Sequence, residues 1–161
     1  MKAGAAPVRT AVLARTSRKR KPARRETGFP YRVRMAVRTR AGNGEIEDAR
    51  CEACGTWLGR YDGQVQHRLA RMTGGSRNPV VSSLANAVLL CGTPVTLCHG
   101  LAEARDDTML HAGFWLEHGT GPEFDPRFAS ILWHARAGSG VQLWLGENGG
   151  YSFAPPGEVA A

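Results

Sequence analysis

Apolar and polar positions change rhythm several times along the chain. Over residues 31–39, Tyr-Arg-Val-Arg-Met-Ala-Val-Arg-Thr alternates apolar and mostly basic side chains, the period of two that predicts a half-solvated strand. A second short strand is predicted over residues 65–69. Thr-Gly-Gly-Ser-Arg-Asn-Pro, residues 73–79, is turn chemistry and predicts a loop. Ser82 or Ser83 is placed to cap a short helical turn through Leu84-Ala85-Asn86, after which Val88-Leu89-Leu90-Cys91 enters the core. Residues 98–109, with Leu101, Ala102 and Arg105 among helix-favouring Ala and Glu, predict one helix ending before Gly113. Residues 119–126 predict a loop. Ile131-Leu132-Trp133 and Val141-Gln142-Leu143-Trp144-Leu145 flank Ala137-Gly138-Ser139-Gly140, the pattern of a β-hairpin. Residues 154–161 are expected to fray. The fold class is therefore α+β, without internal repeats.

Length and composition bound this picture. The 161 residues suit a single domain with at most one tail, and 42% hydrophobic with 22% charged residues excludes collagen-like and wholly disordered chains. The longest apolar stretch, residues 80–90, is interrupted by Ser82, Ser83 and Asn86, whereas a spanning helix needs roughly 20 apolar residues. No membrane partner is expected. Arg9 and Arg15 break the apolar run a secretory leader would need, so the expected location is intracellular.

Charge divides the chain unevenly. Residues 1–40 hold thirteen of the 21 basic side chains and one acid, a formal +12, while residues 41–161 hold eight basic and thirteen acidic side chains, a formal −5. A segment so basic, with few large apolar residues, cannot bury enough surface to offset its ordering entropy. Residues 1–44 are accordingly expected to form a basic, largely disordered arm, followed by a domain over 45–120 and a hairpin and tail over 121–161. Each Lys or Arg placed on a phosphate releases counterions, so the natural partner of Arg18-Lys19-Arg20-Lys21 is a polyanion. The same run also suits a nuclear address or a solubility tail.

The four cysteines fall into two pairs, Cys51-x2-Cys54 and Cys91-x6-Cys98. In a reducing compartment such pairs point to metal rather than disulfides. Structural Zn²⁺ takes four thiolates, and Gly55 allows the chain to fold around an ion, although the second spacing is wider than the usual two to four residues. Buried cysteines without metal are the alternative. Zinc would add folding energy to a core short of large apolar residues.

His99 directly follows Cys98, and His67 and Asn86 lie in segments that otherwise look structured. Taken in order, Cys51-x2-Cys54, Gln66-His67-Arg68, Met72-x-Gly74-Gly75-Ser76, Leu84-Ala85-Asn86-x3-Leu90-Cys91 and Cys98-His99-Gly100 resemble the HNH endonuclease family, particularly its small bacteriophage-encoded members. The likeness covers about residues 51–119. It implies a ββα-metal core, also called a His-Me finger and treble-clef-like, stapled by a four-cysteine zinc site. It implies further that His67 is the general base and that Asn86 holds the catalytic loop or reaches the metal. His99 would ligate a divalent cation such as Mg²⁺, Mn²⁺ or Ni²⁺, with DNA as substrate, a 5′ phosphate as product, and a host cytoplasm and phage packaging proteins as setting. Many members carry His or Asp immediately before the base; here the residue is Gln66, whose amide oxygen is a weaker ligand for a hard cation than a carboxylate. Glu103, four residues after His99 on the same helix face, is either a compensating ligand or an exposed helix acid.

Arg68 and Arg71 follow the base, where a phosphate contact is expected. His111, His118 and His134 lack partners at recognisable spacing, Asp106-Asp107 suits a solvated acidic turn, and the four tryptophans suit core or hairpin packing. Two functions remain. One is a metal-dependent endonuclease with His67 activating water and His99 holding the cation. The other is a non-catalytic zinc-stapled module that binds nucleic acid or assists packaging.

Overall fold

The computed structural model describes residues 28–72, 76–134, 137–138 and 140–157. It is a mixed α+β fold. Helix α1 spans Tyr31–Ala41, followed by a 3₁₀ turn at Ile46–Asp48. Strand β1 (Gln64–His67) pairs antiparallel with β2 (Ala87–Leu90), His67 opposite Ala87 and Gln64 opposite Leu90. Helices α2 (Leu97–Glu103) and α3 (Asp107–His111) come next. A second sheet has the order β3 (Ile131–Trp133), β4 (Val141–Leu145), β5 (Tyr151–Ser152), all antiparallel. No helix among the described residues is long and apolar enough to cross a membrane.

Residues 31–39 are helical, not a strand. Phe29, Val33, Val37 and Ala41 recur every four residues and are all buried, so the alternating pattern contained an i, i+4 stripe that a two-residue period also fits. Burying Phe29, Val33 and Val37 is worth about 1.5–3 kcal/mol each, before ordering entropy is charged against it. The boundary at residue 44 consequently falls after a packed helix: residues 28–41 belong to the globular core, and Arg18, Lys19, Arg20 and Lys21 lie outside the described residues.

Elsewhere the differences are local. The region expected as one helix over 98–109 is two, parted at Ala104–Asp106; Arg105 takes φ +59° and Asp106 caps α3 by accepting from the Thr108 amide. The turn expected after Ser82 or Ser83 is a 3₁₀ turn at Pro79–Ser82, capped by the Asn78 side chain accepting from Val80 N–H. Of the expected loop at 73–79, residues 73–75 lie outside the described residues. The 131–145 hairpin gains β5 as a third strand and is tied to the first sheet. Tyr151 donates to Glu52 at 2.6 Å, and His134 N–H donates to the Glu52 carbonyl at 2.9 Å.

The β2 strand is buried along its whole length and forms the centre of the core, between α1 on one side and its partner β1. Gly92 then turns the chain at φ +88°, where a Cβ would stand 2.3 Å from the Thr96 carbonyl oxygen. This turn returns Cys98 toward Cys91.

Candidate metal centre and adjoining cleft

The two cysteine pairs meet. Cys51 and Cys54 lie in the turn before β1, Cys91 directly follows β2, and Cys98 lies in the first turn of α2. All four Sγ atoms lie within 4.8 Å of one another, and no disulfide joins the four cysteines. Cys54 Sγ and Cys91 Sγ are 3.7 Å apart. A tetrahedron with Zn–S bonds of about 2.3 Å has edges of about 3.8 Å, so the donor set could hold a metal such as zinc. The backbone supports it: Gly55 N–H donates to Cys51 O at 2.8 Å and His99 N–H to Cys91 O at 3.0 Å. Crowding separates the thiols' titrations. Burial lifts Cys91 to about 11; against burial, hydrogen bonds from Thr56 and neighbouring cysteines lower Cys54 to about 7. Deprotonating all four thiols so close together would need a cation to neutralise them, which is what a bound metal such as zinc supplies.

Beside the cluster, the end of β1 and the end of α2 border a cleft of about 280 Å³. One chain segment lines it with Gln66, His67, Ala70 and Arg71, the other with Ala102, Glu103, Arg105 and Trp115. His99, 4% exposed on α2, approaches Gln66 Oε1 at 2.9 Å and Glu103 Oε1 at 3.6 Å through the same Nε2. An imidazole, an amide oxygen and a carboxylate therefore converge at His99 Nε2. His67 ends β1 with its ring stacked on Phe29, centroids 3.8 Å apart and planes 16° apart. Burial, and secondarily Arg71, hold His67 down at about 4; burial also lowers His99, partly opposed by Glu103. Both rings are thus neutral at ordinary pH, the state in which an imidazole accepts a proton or ligates a metal. His67 Nε2 and His99 Nδ1 are buried and have no hydrogen-bond partner.

Asn86, fully buried, clasps the segment leaving β1. Its Oδ1 accepts from Leu69 N–H at 2.6 Å and its Nδ2 donates to Leu69 O at 3.0 Å and Val81 O at 2.9 Å. The amide is consumed by backbone, so its contribution to the cleft is to fix the chain that carries His67 and Arg71.

Arg68 corrects an expectation. Far from meeting phosphate, it is 0% exposed and donates to five carbonyl oxygens, those of Gly113 (2.6 Å), Ala85, Pro126, Ala129 and Ser130. Strand alternation accounts for this: the residue after His67 on an extended chain points to the opposite face. Gly113 must be glycine for the arrangement to close, since its φ is +72° and a Cβ would lie 2.1 Å from Ser130 O. Burial lowers the Arg68 pKa to about 9, leaving it charged at neutral pH. Arg40, counted in the basic arm, is likewise buried. It pairs with Glu52 (Nε to Oε1 3.0 Å, Nη2 to Oε2 3.1 Å) and donates to Ala87 O at 2.6 Å. Glu52 in turn accepts from Leu89 N–H at 2.6 Å, which joins the first cysteine turn to β2.

Three residues around the cleft escaped the sequence reading: Phe29, Arg105 and Trp115. Phe29 sat in the presumed arm, and Trp115 had been taken for core packing. Trp57, also expected to pack, is 57% exposed. No motif spacing marks any of these. No family model matches the chain, and no curated protein or solved structure is significantly similar to it.

Proposed function

We propose that this chain is a metal-dependent endonuclease of the HNH type, hydrolysing phosphodiester bonds of DNA. The observation that carries this reading is a cleft lined by His67, a neutral imidazole at a strand end, together with Gln66 and Glu103, both of which the adjoining His99 Nε2 approaches. Asn86 braces the intervening chain and the four-cysteine cluster braces the helix. His67 accepts the proton of the attacking water, a role its neutral ring suits. His99 Nε2, a Glu103 oxygen and the Gln66 carbonyl oxygen are the groups available to hold a cation such as Mg²⁺, Mn²⁺ or Ni²⁺. Such an ion, when bound, supplies Lewis-acid polarisation of the phosphate and stabilises the leaving 3′ oxygen. Arg71 adds positive charge beside His67. Zinc held by Cys51, Cys54, Cys91 and Cys98 fixes the start of α2, and with it His99.

One observation favours the non-catalytic alternative, a zinc-stapled nucleic-acid-binding or packaging accessory module. The residue before His67 is a neutral amide that already engages His99 Nε2 at 2.9 Å, and an amide oxygen holds a hard cation less well than a carboxylate. Supercoiled plasmid separates the two readings. Wild-type protein with Mg²⁺, Mn²⁺ or Ni²⁺ is expected to nick it, EDTA to stop the reaction, and His67→Ala to slow it by roughly 10²- to 10⁴-fold. A gel shift without nicking in any metal, equal in wild type and His67→Ala, would establish the binding module instead.

A further inference from the structure

Helix α2 ends in a paired turn: Asp106 N–H donates to Leu101 O at 3.0 Å and Arg105 N–H to Ala102 O at 3.1 Å. This is the Schellman arrangement, and its penultimate position requires the left-handed backbone that glycine usually supplies. Here that position holds Arg105 at φ +59°. An arginine is strained where glycine is not. The backbone therefore gives no reason for an arginine, and the reason lies in its side chain.

The Arg105 guanidinium carbon stands 5.4 Å from the centroid of the Trp115 ring, and both residues line the cleft that holds Gln66, His67, Arg71 and Glu103. Arg105 is exposed, and no carboxylate among the described residues forms an ion pair with it. Contrast Arg127 and Arg60, which close on Asp125 and Glu47. An aromatic face steadies a guanidinium without neutralising it, so the charge and the N–H fork remain available to a ligand. Arg71 lines the same cleft. The planar fork matches two oxygens of a phosphodiester.

We infer that Arg105, steadied on Trp115, is a phosphate-binding residue that takes the DNA backbone in the cleft beside His67. The identity of the anion rests on the nuclease reading; the anion-binding role rests on the geometry of Arg105 itself. Its test uses the full zinc-loaded chain, a labelled DNA duplex across a salt titration with no added Mg²⁺, Mn²⁺ or Ni²⁺, and the variants Arg105→Gly, Arg105→Lys and Arg127→Ala. Arg105→Gly should melt at or above the wild-type temperature, since glycine relieves the left-handed position. It should nevertheless bind DNA about tenfold more weakly, the worth of one charge-assisted contact. Its log K against log salt slope should shrink by about 0.9, one phosphate contact. Arg105→Lys should recover part of the affinity, and Arg127→Ala should lose little.

Wild-type affinity in Arg105→Gly overturns the inference. So does an equal loss in Arg127→Ala, or a fall in melting temperature that accompanies the loss of binding. Plasmid nicking is scored separately. A wild type that binds DNA without nicking removes the nuclease reading and leaves the Arg105 comparison decisive. A wild type that nicks while Arg105→Gly binds and nicks equally well removes this inference alone.

Discussion

Two polar regions lie a few residues apart in this molecule and are built on opposite terms. In the scaffold beneath the sheets, Arg68, Asn86 and the Arg40–Glu52–Tyr151 group are buried with their donors and acceptors matched, largely by backbone. In the cleft and beside it, His67 and His99 each keep one buried ring nitrogen without a partner, two of the four such atoms among the described residues. A buried polar group with every bond made holds a fold together. One left unmade costs stability, so it persists where something other than stability keeps it. The difference separates residues that look equally suggestive in sequence: Arg68, adjacent to His67, belongs to the scaffold, while Arg105, far along the chain, belongs to the cleft.

If that division holds, disrupting the scaffold should unfold the protein and disrupting the cleft should not. The largest effect is expected at the cysteine cluster. Apparent zinc-binding energies in small zinc domains are on the order of 10 kcal/mol, comparable with the whole stability of a domain this size. Chelation, or Cys98→Ser, should abolish the cooperative thermal transition, with zinc restoring it only in the chelated wild type. Thiol titration and metal analysis of the unfolded protein should give four thiols and about one zinc per chain. A chelated protein that melts unchanged would show that the four thiols pack without metal.

Arg68→Met comes next. It removes a guanidinium that serves five carbonyl oxygens and leaves them facing a thioether, with a cost on the order of 3–5 kcal/mol. The urea midpoint should fall accordingly. A loss of DNA affinity at unchanged midpoint would instead return Arg68 to the phosphate-contacting role that the sequence suggested. In the cleft, His67→Leu should go the other way. The variant discards an unpartnered buried nitrogen worth about 1–3 kcal/mol and keeps apolar bulk beside Phe29, so its midpoint should match or exceed wild type while nicking is lost. A midpoint lowered as far as that of Arg68→Met would erase the distinction between the two regions.

Much of the site was legible because spacing carries it. Cys51, Cys54, Cys91 and Cys98 do converge, while Gln66, His67 and Glu103 line one cleft with His99 adjoining through Gln66 and Glu103. Helix α1 was not legible as a helix, because Val33 and Val37 satisfy periods of two and of four alike within a window that short. Arg40 and Arg68 were misplaced for a related reason: composition counts a basic residue as solvated, whereas only tertiary structure supplies the carbonyl oxygens and the Glu52 carboxylate that make burial tolerable. Arg105 could not be read at all, since nothing local announces that α2 stops there in a left-handed turn. The cleft's second arginine depends on that turn and on Trp115 ten residues later.

The smallest predicted effect tests the comparison from outside both regions. His134 Nε2 is also buried without a partner, yet its ring stacks on Trp133 at 3.5 Å and lies away from the residues that line the cleft. Burial lowers its pKa from the ordinary value near 6.5, with Arg50 acting in the same direction and Glu52 opposing. An unfolded chain therefore binds a proton more readily than the folded one. The stabilising contribution of His134 is fully present above pH 6.5 and is lost as pH falls below it. His134→Phe keeps an aromatic ring against Trp133 and removes the titration, at the pH-independent cost of placing Phe at φ +56°. Between pH 7.5 and 5.5, with zinc saturating, the variant should lose less stability than wild type, and its nicking at pH 7.5 should be unaltered. Equal pH slopes would show that acid lability comes from groups other than His134. Lost nicking would extend the functional region to the second sheet.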